Sequence, residues 1–407
     1  MMKKYIPQII FLLFSSTLVM TYFTNGNVVP FQIVIYLLIL IGYAFSKKSS
    51  RGIDGNCKLY IAFTIIYFLR IFYDLEFAGI KQQLYGSDFT VYFFVFNGII
   101  FPAIFFPLIM NEKTYKYSFI GLGIFLLYSL SISFYNFLTG NVFLTPDHRM
   151  MANEFLGVIQ YGHLGLTSII VGVYFFKNIR NSKIYLFFSI LLLLLGVISV
   201  FLSGTRSAIV AVLLIVVLYM IAKVKIKVLL QAILLLVPFV IFADDILALF
   251  GNTELNSANR IFSLFEDGGD QSSGRTAIWA FAFHDISYNL LTGVSSFFKF
   301  HDYFFVHNSV IEITYALGIV GCCVFLHLNL AALKICIKIF KGNNADYICL
   351  SSLFIQYFVF GLFSESIMRL TMYWVLLAVV LSINVLYKRT CINNKIYEDR
   401  ISNYSDL

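Results

Sequence analysis

Long apolar runs follow one another along this chain, each about as long as a membrane crossing and separated by short polar breaks. A helix needs ~20 mostly apolar residues to cross the hydrocarbon core. Twelve such runs can be placed, near residues 5–23, 28–46, 58–73, 89–110, 117–138, 156–176, 184–202, 207–222, 228–243, 308–327, 347–363 and 371–387. A single polar stretch of any size, roughly Asp244 to Val306, separates the ninth run from the tenth. The pattern predicts an all-α polytopic membrane protein of about 12 transmembrane helices. Residues 1–243 carry helices one to nine, 244–306 a large loop with an amphipathic helix, 307–387 helices ten to twelve, and 388–407 a tail.

Composition agrees: 60% of residues are hydrophobic and 12% charged, whereas soluble domains are nearer half apolar and a quarter charged. Charge adds an orientation. With a cytoplasmic amino terminus, 21 of the 29 Lys and Arg fall in inside segments and seven in outside ones, Arg70 lying within a span. This bias obeys the positive-inside rule, placing both termini in the cytoplasm and the large loop outside, in the periplasm. The net charge of +8 is spread over short juxtamembrane segments, so it argues for a bilayer and not for nucleic acid. The first run follows Met-Met-Lys-Lys, but no small-x-small cleavage site follows it, and it reads as a retained helix.

Cys57, Cys336 and Cys391 fall in cytoplasmic segments and Cys322, Cys323 and Cys349 in helices, so neither disulfides nor a metal cluster is expected.

Candidate chemistry gathers at the outer ends of the spans. Arg70 and Asp74 are four apart on one helix face, either as a self-paired couple near the interface or with the arginine facing substrate. His163 stands between Gly162 and Gly165 and reads as a helix–helix hydrogen bonder sooner than as a ligand. The mixed charges Asp147, His148, Arg149 and Glu154 read as a solvated loop. The turn Ser203-Gly204-Thr205-Arg206-Ser207 puts an arginine on the outside, against the charge bias, in a hairpin that leaves it little freedom.

Late in the large loop, with Ser273 as N-cap, residues Arg275 to Ser287 predict an amphipathic interfacial helix with Ile278, Phe281, Ala282 and Phe283 on one broad side. Arg275 sits in its first turn, a poor place for a cation, while that same helix end welcomes an anion. The pair looks like half of a phosphate clamp. His307 stands where the tenth span begins, and Asn308, Glu312 and Tyr315 follow on one face of that span.

The pieces SGTRS (203–207), GRTAIW (274–279), NLLTGVS (289–295), HNSVIE (307–312) and ALGIVG (316–321), in this order and spacing, resemble the O-antigen polymerase and O-antigen ligase superfamily of membrane glycosyltransferases. The resemblance covers residues 200–325 by motif and implies a GT-C-like architecture acting on undecaprenyl-diphosphate-linked oligosaccharides at the periplasmic face of the bacterial inner membrane. It further implies that Arg206 and Arg275 hold the lipid diphosphate and that His307 activates an acceptor hydroxyl. Arg70, Asn308, Glu312, Arg260 and Arg369 are further candidate substrate-binding residues, although Asn308 and Glu312 could equally pair with neighbouring helices. No cofactor is expected. Two arginines can stabilise a diphosphate leaving group without a metal, and no Asp-x-Asp stands in the outside segments.

The expected activity is polymerisation of lipid-linked repeats, possible partners including a regulator of polysaccharide chain length. The ligase that moves finished polymer onto a lipid A core is the alternative. A flippase fits less well, because it calls for ionisable residues at mid-membrane and repeated halves.

Overall fold

The computed structural model describes residues 6–17, 28–45, 53–80, 82, 87–109, 115–145, 149–154, 156–178, 182–223, 275–301 and 305–384. The ninth run, most of the large loop including Arg260 and the Ser273 cap, Asp147, His148 and the tail lie outside these residues.

In chain order the helices are α1 Ile6–Ser16, α2 Val28–Phe45, α3 Gly55–Glu76, α4 Asp88–Val95, α5 Phe101–Ile109, α6 Lys116–Leu138, α7 Val158–Asn178, α8 Lys183–Ser203 and α9 Arg206–Lys223. They continue with α10 Arg275–Tyr288, α11 Ser309–Lys341, α12 Ala345–Phe363 and α13 Thr371–Asn384. A two-residue antiparallel ribbon, Phe143–Leu144 with Met150–Met151, lies between α6 and α7.

Seven helices among the described residues are long and apolar enough to cross a membrane: Asp88–Ile109, Lys116–Leu138, Val158–Lys177, Lys183–Ser203, Arg206–Lys223, Ser309–Lys341 and Ala345–Phe363. The protein is therefore a helical, multi-pass membrane protein. Of the remaining predicted runs, α1 has 11 residues, α2 is apolar over Gln32–Gly42, α13 covers Thr371–Asn384, and the 22-residue α3 is interrupted by Lys58, Arg70, Asp74 and Glu76.

In the span that carries Pro102 and Pro107, α4 and α5 join through one π-helical turn, Phe96–Ile100, closed by the Phe101 N–H on the Phe96 carbonyl. Pro102 has no N–H to give the Gly98 carbonyl, and the widened turn absorbs that loss.

The 33-residue α11 is two helices in series. Gly318 at φ 67° and ψ −168° breaks it, in a backbone region that only glycine occupies readily. The Ile319 N–H bonds the Leu290 carbonyl at 2.8 Å, and the N–H groups of Val294 and Ser295 reach the Tyr315 carbonyl at 2.6 and 3.1 Å. A Cβ on Gly293 would lie 2.6–2.7 Å from Ala316 backbone atoms. Two of the sequence motifs, 289–295 and 316–321, thus lie backbone on backbone.

The helix ends sort into two poles. At one, Asp346 at the start of α12 accepts from the Tyr115 N–H (2.9 Å) and the Tyr174 hydroxyl (2.7 Å), and Lys223 reaches Asn343 (2.8 Å). By chain position Lys58, Lys116, Lys177, Lys183, Lys338 and Lys341 share that pole. At the other pole stand the start of α9, α10, the start of α11 and the end of α12.

Candidate functional site

The second pole is organised by a turn that carries little signal in the sequence, Phe363 to Leu370 between α12 and α13. α12 ends at Phe363, and its last carbonyls point outward with the negative end of the helix dipole behind them. Arg275, the first residue of α10, donates from Nη1 to the Phe363 carbonyl. The ring of His307 meets the next carbonyl, with Nδ1 3.3 Å from Ser364 O. A carbonyl only accepts, so in the neutral ring Nδ1 carries the hydrogen and Nε2 is the proton-accepting nitrogen.

His307 is held in place by backbone and packing. Its φ is 58°, in the left-handed region, a conformation a side chain rarely adopts outside turns and functional sites. The Val306 carbonyl before it accepts from Trp279 Nε1 of α10 at 3.0 Å. Asn308 after it caps α11, its Oδ1 accepting from the N–H groups of Val310 (3.0 Å) and Ile311 (3.1 Å). The imidazole pKa is lowered from its ordinary value to about 4, chiefly by burial, with the Ser364 carbonyl opposing and the Arg275 cation adding to the lowering. The ring is therefore neutral near neutral pH.

Arg206 opens α9, and its neighbour Ser207 joins the same turn, its hydroxyl 3.1 Å from Ser364 Oγ and 2.9 Å from His163 Nε2. Gly204, in the left-handed region at φ 57°, closes α8 and forms the tight hairpin expected of SGTRS. The structure so brings Arg275 and His307 onto Phe363 and Ser364, with Arg206 at the same end of the bundle, next in the chain to Ser207.

Residues 191–326 match the family model described as O-antigen ligase. The match supports the O-antigen polymerase and ligase superfamily and, with it, a glycosyltransferase-like activity on a lipid-linked glycan. No curated protein matches the sequence. The matched stretch takes in Arg206, Arg275, His307 and Glu312 but stops short of the Phe363–Leu370 turn that the last three contact.

The remaining candidates divide. Glu312, buried, fastens the turn: its Oε1 lies 2.5 Å from Ser366 Oγ and its Oε2 accepts from the Ile367 N–H at 3.0 Å. Arg369, exposed, lies 3.7 Å from Glu365. Arg70 is a clasp. It pairs with Asp74 at 3.0 Å and donates to the carbonyls of Thr292 (3.0 Å) and Val294, while Asp74 accepts from the Ser296 N–H at 2.6 Å. These bonds anchor the 289–296 turn to α3, which favours the structural reading of the pair.

α10 runs Arg275–Tyr288, one residue longer than expected. It buries Ile278, Ala282 and Ile286 against Phe298, Val306, Ile311 and Tyr315, with Phe281 half-buried, and Phe283 is exposed. Its apolar face seats on α11 and the His307 loop, and Tyr315 adds a bond to Asp285 at 3.2 Å.

Sequence reasoning passed over Ser364, Glu365 and Ser366. The available signal was three polar residues, followed by Arg369, in a hairpin between two strongly apolar runs.

Proposed function

We propose that the protein is an O-antigen or related surface-polysaccharide polymerase, joining undecaprenyl-diphosphate-linked repeats at the periplasmic face of the inner membrane without a metal. The observation that carries the reading is the seating of Arg275 and His307 on consecutive carbonyls, Phe363 and Ser364, with Arg206 beside Ser207 at the same turn. In this reading the two arginines bind the lipid diphosphate, and an acceptor sugar hydroxyl attacks the anomeric carbon of the lipid-linked chain. The bond from that carbon to the diphosphate oxygen breaks, its electron pair leaving on the diphosphate beside the arginines. His307 Nε2 takes the hydroxyl proton and later releases it to water. Direct displacement inverts the anomeric centre.

The ligase reading, favoured by the description of the matching family, shares the donor chemistry and differs in acceptor. A chromosomal deletion separates the two on a gel of surface polysaccharide. Loss of a polymerase leaves core bearing a single repeat; loss of a ligase leaves bare core and accumulating lipid-linked polymer. Arg206→Ala and Arg275→Ala should each slow transfer by ~30-fold to ~10³-fold, the equivalent of ~2–4 kcal/mol of lost charge stabilisation, while the protein stays in the membrane. Lysine should rescue poorly, because an ammonium cannot make the planar two-pronged contact. Near-normal polymer from Arg275→Ala would reduce that residue to an anchor for α10.

A further inference from the structure

A second polar feature adjoins the same turn, deeper in the bundle. A partly open cavity of about 190 Å³ lies among the start of α7, the Glu365–Met372 segment and the first two helices, its lining including Gln32, Gln160, His163, Phe360, Glu365 and Arg369. Its polar groups form a network, Gln160 Nε2 donating to Glu365 Oε2 at 2.8 Å and Arg369 standing 3.7 Å from Glu365 Oε1. Its apolar wall is aromatic, with Phe360 stacked on the His163 ring at 4.1 Å between centroids.

Two buried polar atoms of this lining have no partner within the protein, His163 Nδ1 and Gln32 Oε1. His163 is 1% exposed, and a buried polar atom left without a partner costs about 1–3 kcal/mol. Such atoms are kept where a ligand or water completes them.

From this lining we infer a binding site for one uncharged, hydroxyl-rich sugar ring of the lipid-linked substrate in the reaction proposed above, a ring next to the reacting one, on which reaction this inference rests. The chemistry offers an anion little, since the one cation of the lining, Arg369, already faces the buried Glu365 carboxyl group at 3.7 Å. It suits hydroxyls, which can donate to Glu365, His163 Nδ1 and Gln32 Oε1 and accept from Arg369, with a ring face on the aromatic wall. The volume is enough for one monosaccharide ring, and the open side leaves room for the rest of a glycan to continue outward. The cavity also connects to the donor side, because His163 Nε2 bonds Ser207, Ser207 bonds Ser364, and Ser364 O receives His307. Glu312, fastening Ser366, is then a positioning residue for the cavity's Glu365.

The test uses full-length protein in lipid nanodiscs and two probes read separately. Methyl glycosides (glucoside, galactoside, rhamnoside, N-acetylglucosaminide) are titrated by saturation-transfer NMR, and undecaprenyl diphosphate by a shift in melting temperature. At least one glycoside should bind saturably to wild type. Gln160→Met, which keeps volume but loses the polar end, and Glu365→Gln should each weaken it about tenfold or more and leave undecaprenyl diphosphate binding unchanged. If no glycoside binds wild type, or if both well-folded variants bind it as wild type does, the sugar site is wrong. Should either variant fail to fold, Gln32→Met, which keeps volume and removes Oε1 without touching the bonds to Ser207, gives the same reading. Loss of undecaprenyl diphosphate binding in wild type with glycoside binding intact would overturn the donor reading instead and leave the cavity assignment standing.

Discussion

The low pKa of His307 has a measurable kinetic signature. At its ordinary value an imidazole is only about a tenth neutral at about pH 5.5, whereas at about 4 more than about nine-tenths is neutral. A general base must be neutral to accept a proton, so activity is lost as pH falls through the pKa of that group, whichever value it has. The free enzyme governs kcat/KM, and its acid limb should therefore fall near pH 4, with kcat/KM at about pH 5.5 close to that at about pH 7.5, where an unperturbed histidine would give a roughly tenfold loss. A bound diphosphate brings negative charge near the ring, which favours the imidazolium. The limb of kcat, which reports the complex, should thus lie at higher pH than that of kcat/KM. Arg275 supplies part of the lowering, so Arg275→Gln should move the kcat/KM limb upward as well as slowing turnover. The assay is polymerisation of a synthetic lipid-linked repeat by purified protein in nanodiscs across about pH 4 to 8, with His307→Ala alongside. General-base help is typically ~10²–10⁴-fold. A wild-type kcat/KM limb near 6.5, or His307→Ala turning over at the wild-type rate, refutes the assignment.

Other perturbations probe the frame. Gly318→Ala puts a side chain into a glycine-only backbone region and against the Leu291 carbonyl; a cost of ~1–3 kcal/mol from the backbone alone should lower the melting temperature in detergent, and an unchanged value would mean the break in α11 is not enforced. Glu312→Ala strands Ser366 Oγ and the Ile367 N–H, at about 1–3 kcal/mol for each donor left unsatisfied, so stability and transfer should both fall; transfer at the wild-type rate would exclude the turn from the site. Cysteine labelling should find Glu266 outside and Lys225, Lys341 and the carboxyl-terminal tail inside, and a cytoplasmic Glu266 would invalidate the face assigned to every site residue.

Much of the fold was legible because lipid demands a simple code: an apolar run of sufficient length becomes a helix, as at Lys116–Leu138 and Lys183–Ser203, each within a residue or so of its predicted run. The break at Gly318 was not, since a glycine in an apolar run looks the same whether the helix continues or turns. Only contact with Leu290 and Leu291, distant in sequence, decides it. Within the site, Arg275 was visible as a cation in the first turn of a loop helix and His307 as a histidine where a span begins, and their convergence on one place is what the fold adds. Arg70 shows the converse. Its charge marked it as a candidate, yet its donors are taken by Asp74 and two carbonyls, partners that no local spacing reveals beyond Asp74 itself.

The Phe363–Leu370 turn explains why these pieces can act together. An arginine and a histidine arriving from opposite ends of the 275–307 segment need a common reference, and the last carbonyls of α12 provide one that helix hydrogen bonding leaves unused. The same turn then spends Ser364 on Ser207, Glu365 on Gln160, and Ser366 on Glu312, drawing α7, α9 and α11 to it. The arginine–histidine pair on one side and the polar cavity on the other are thereby indexed to four consecutive residues, Phe363 to Ser366. Geometry of this kind suits displacement at an anomeric carbon, where the attacking oxygen and the leaving diphosphate must lie on opposite faces of the ring and proximity supplies much of the rate. A mobile turn would forfeit that alignment, and this one is bonded through successive residues to four helices.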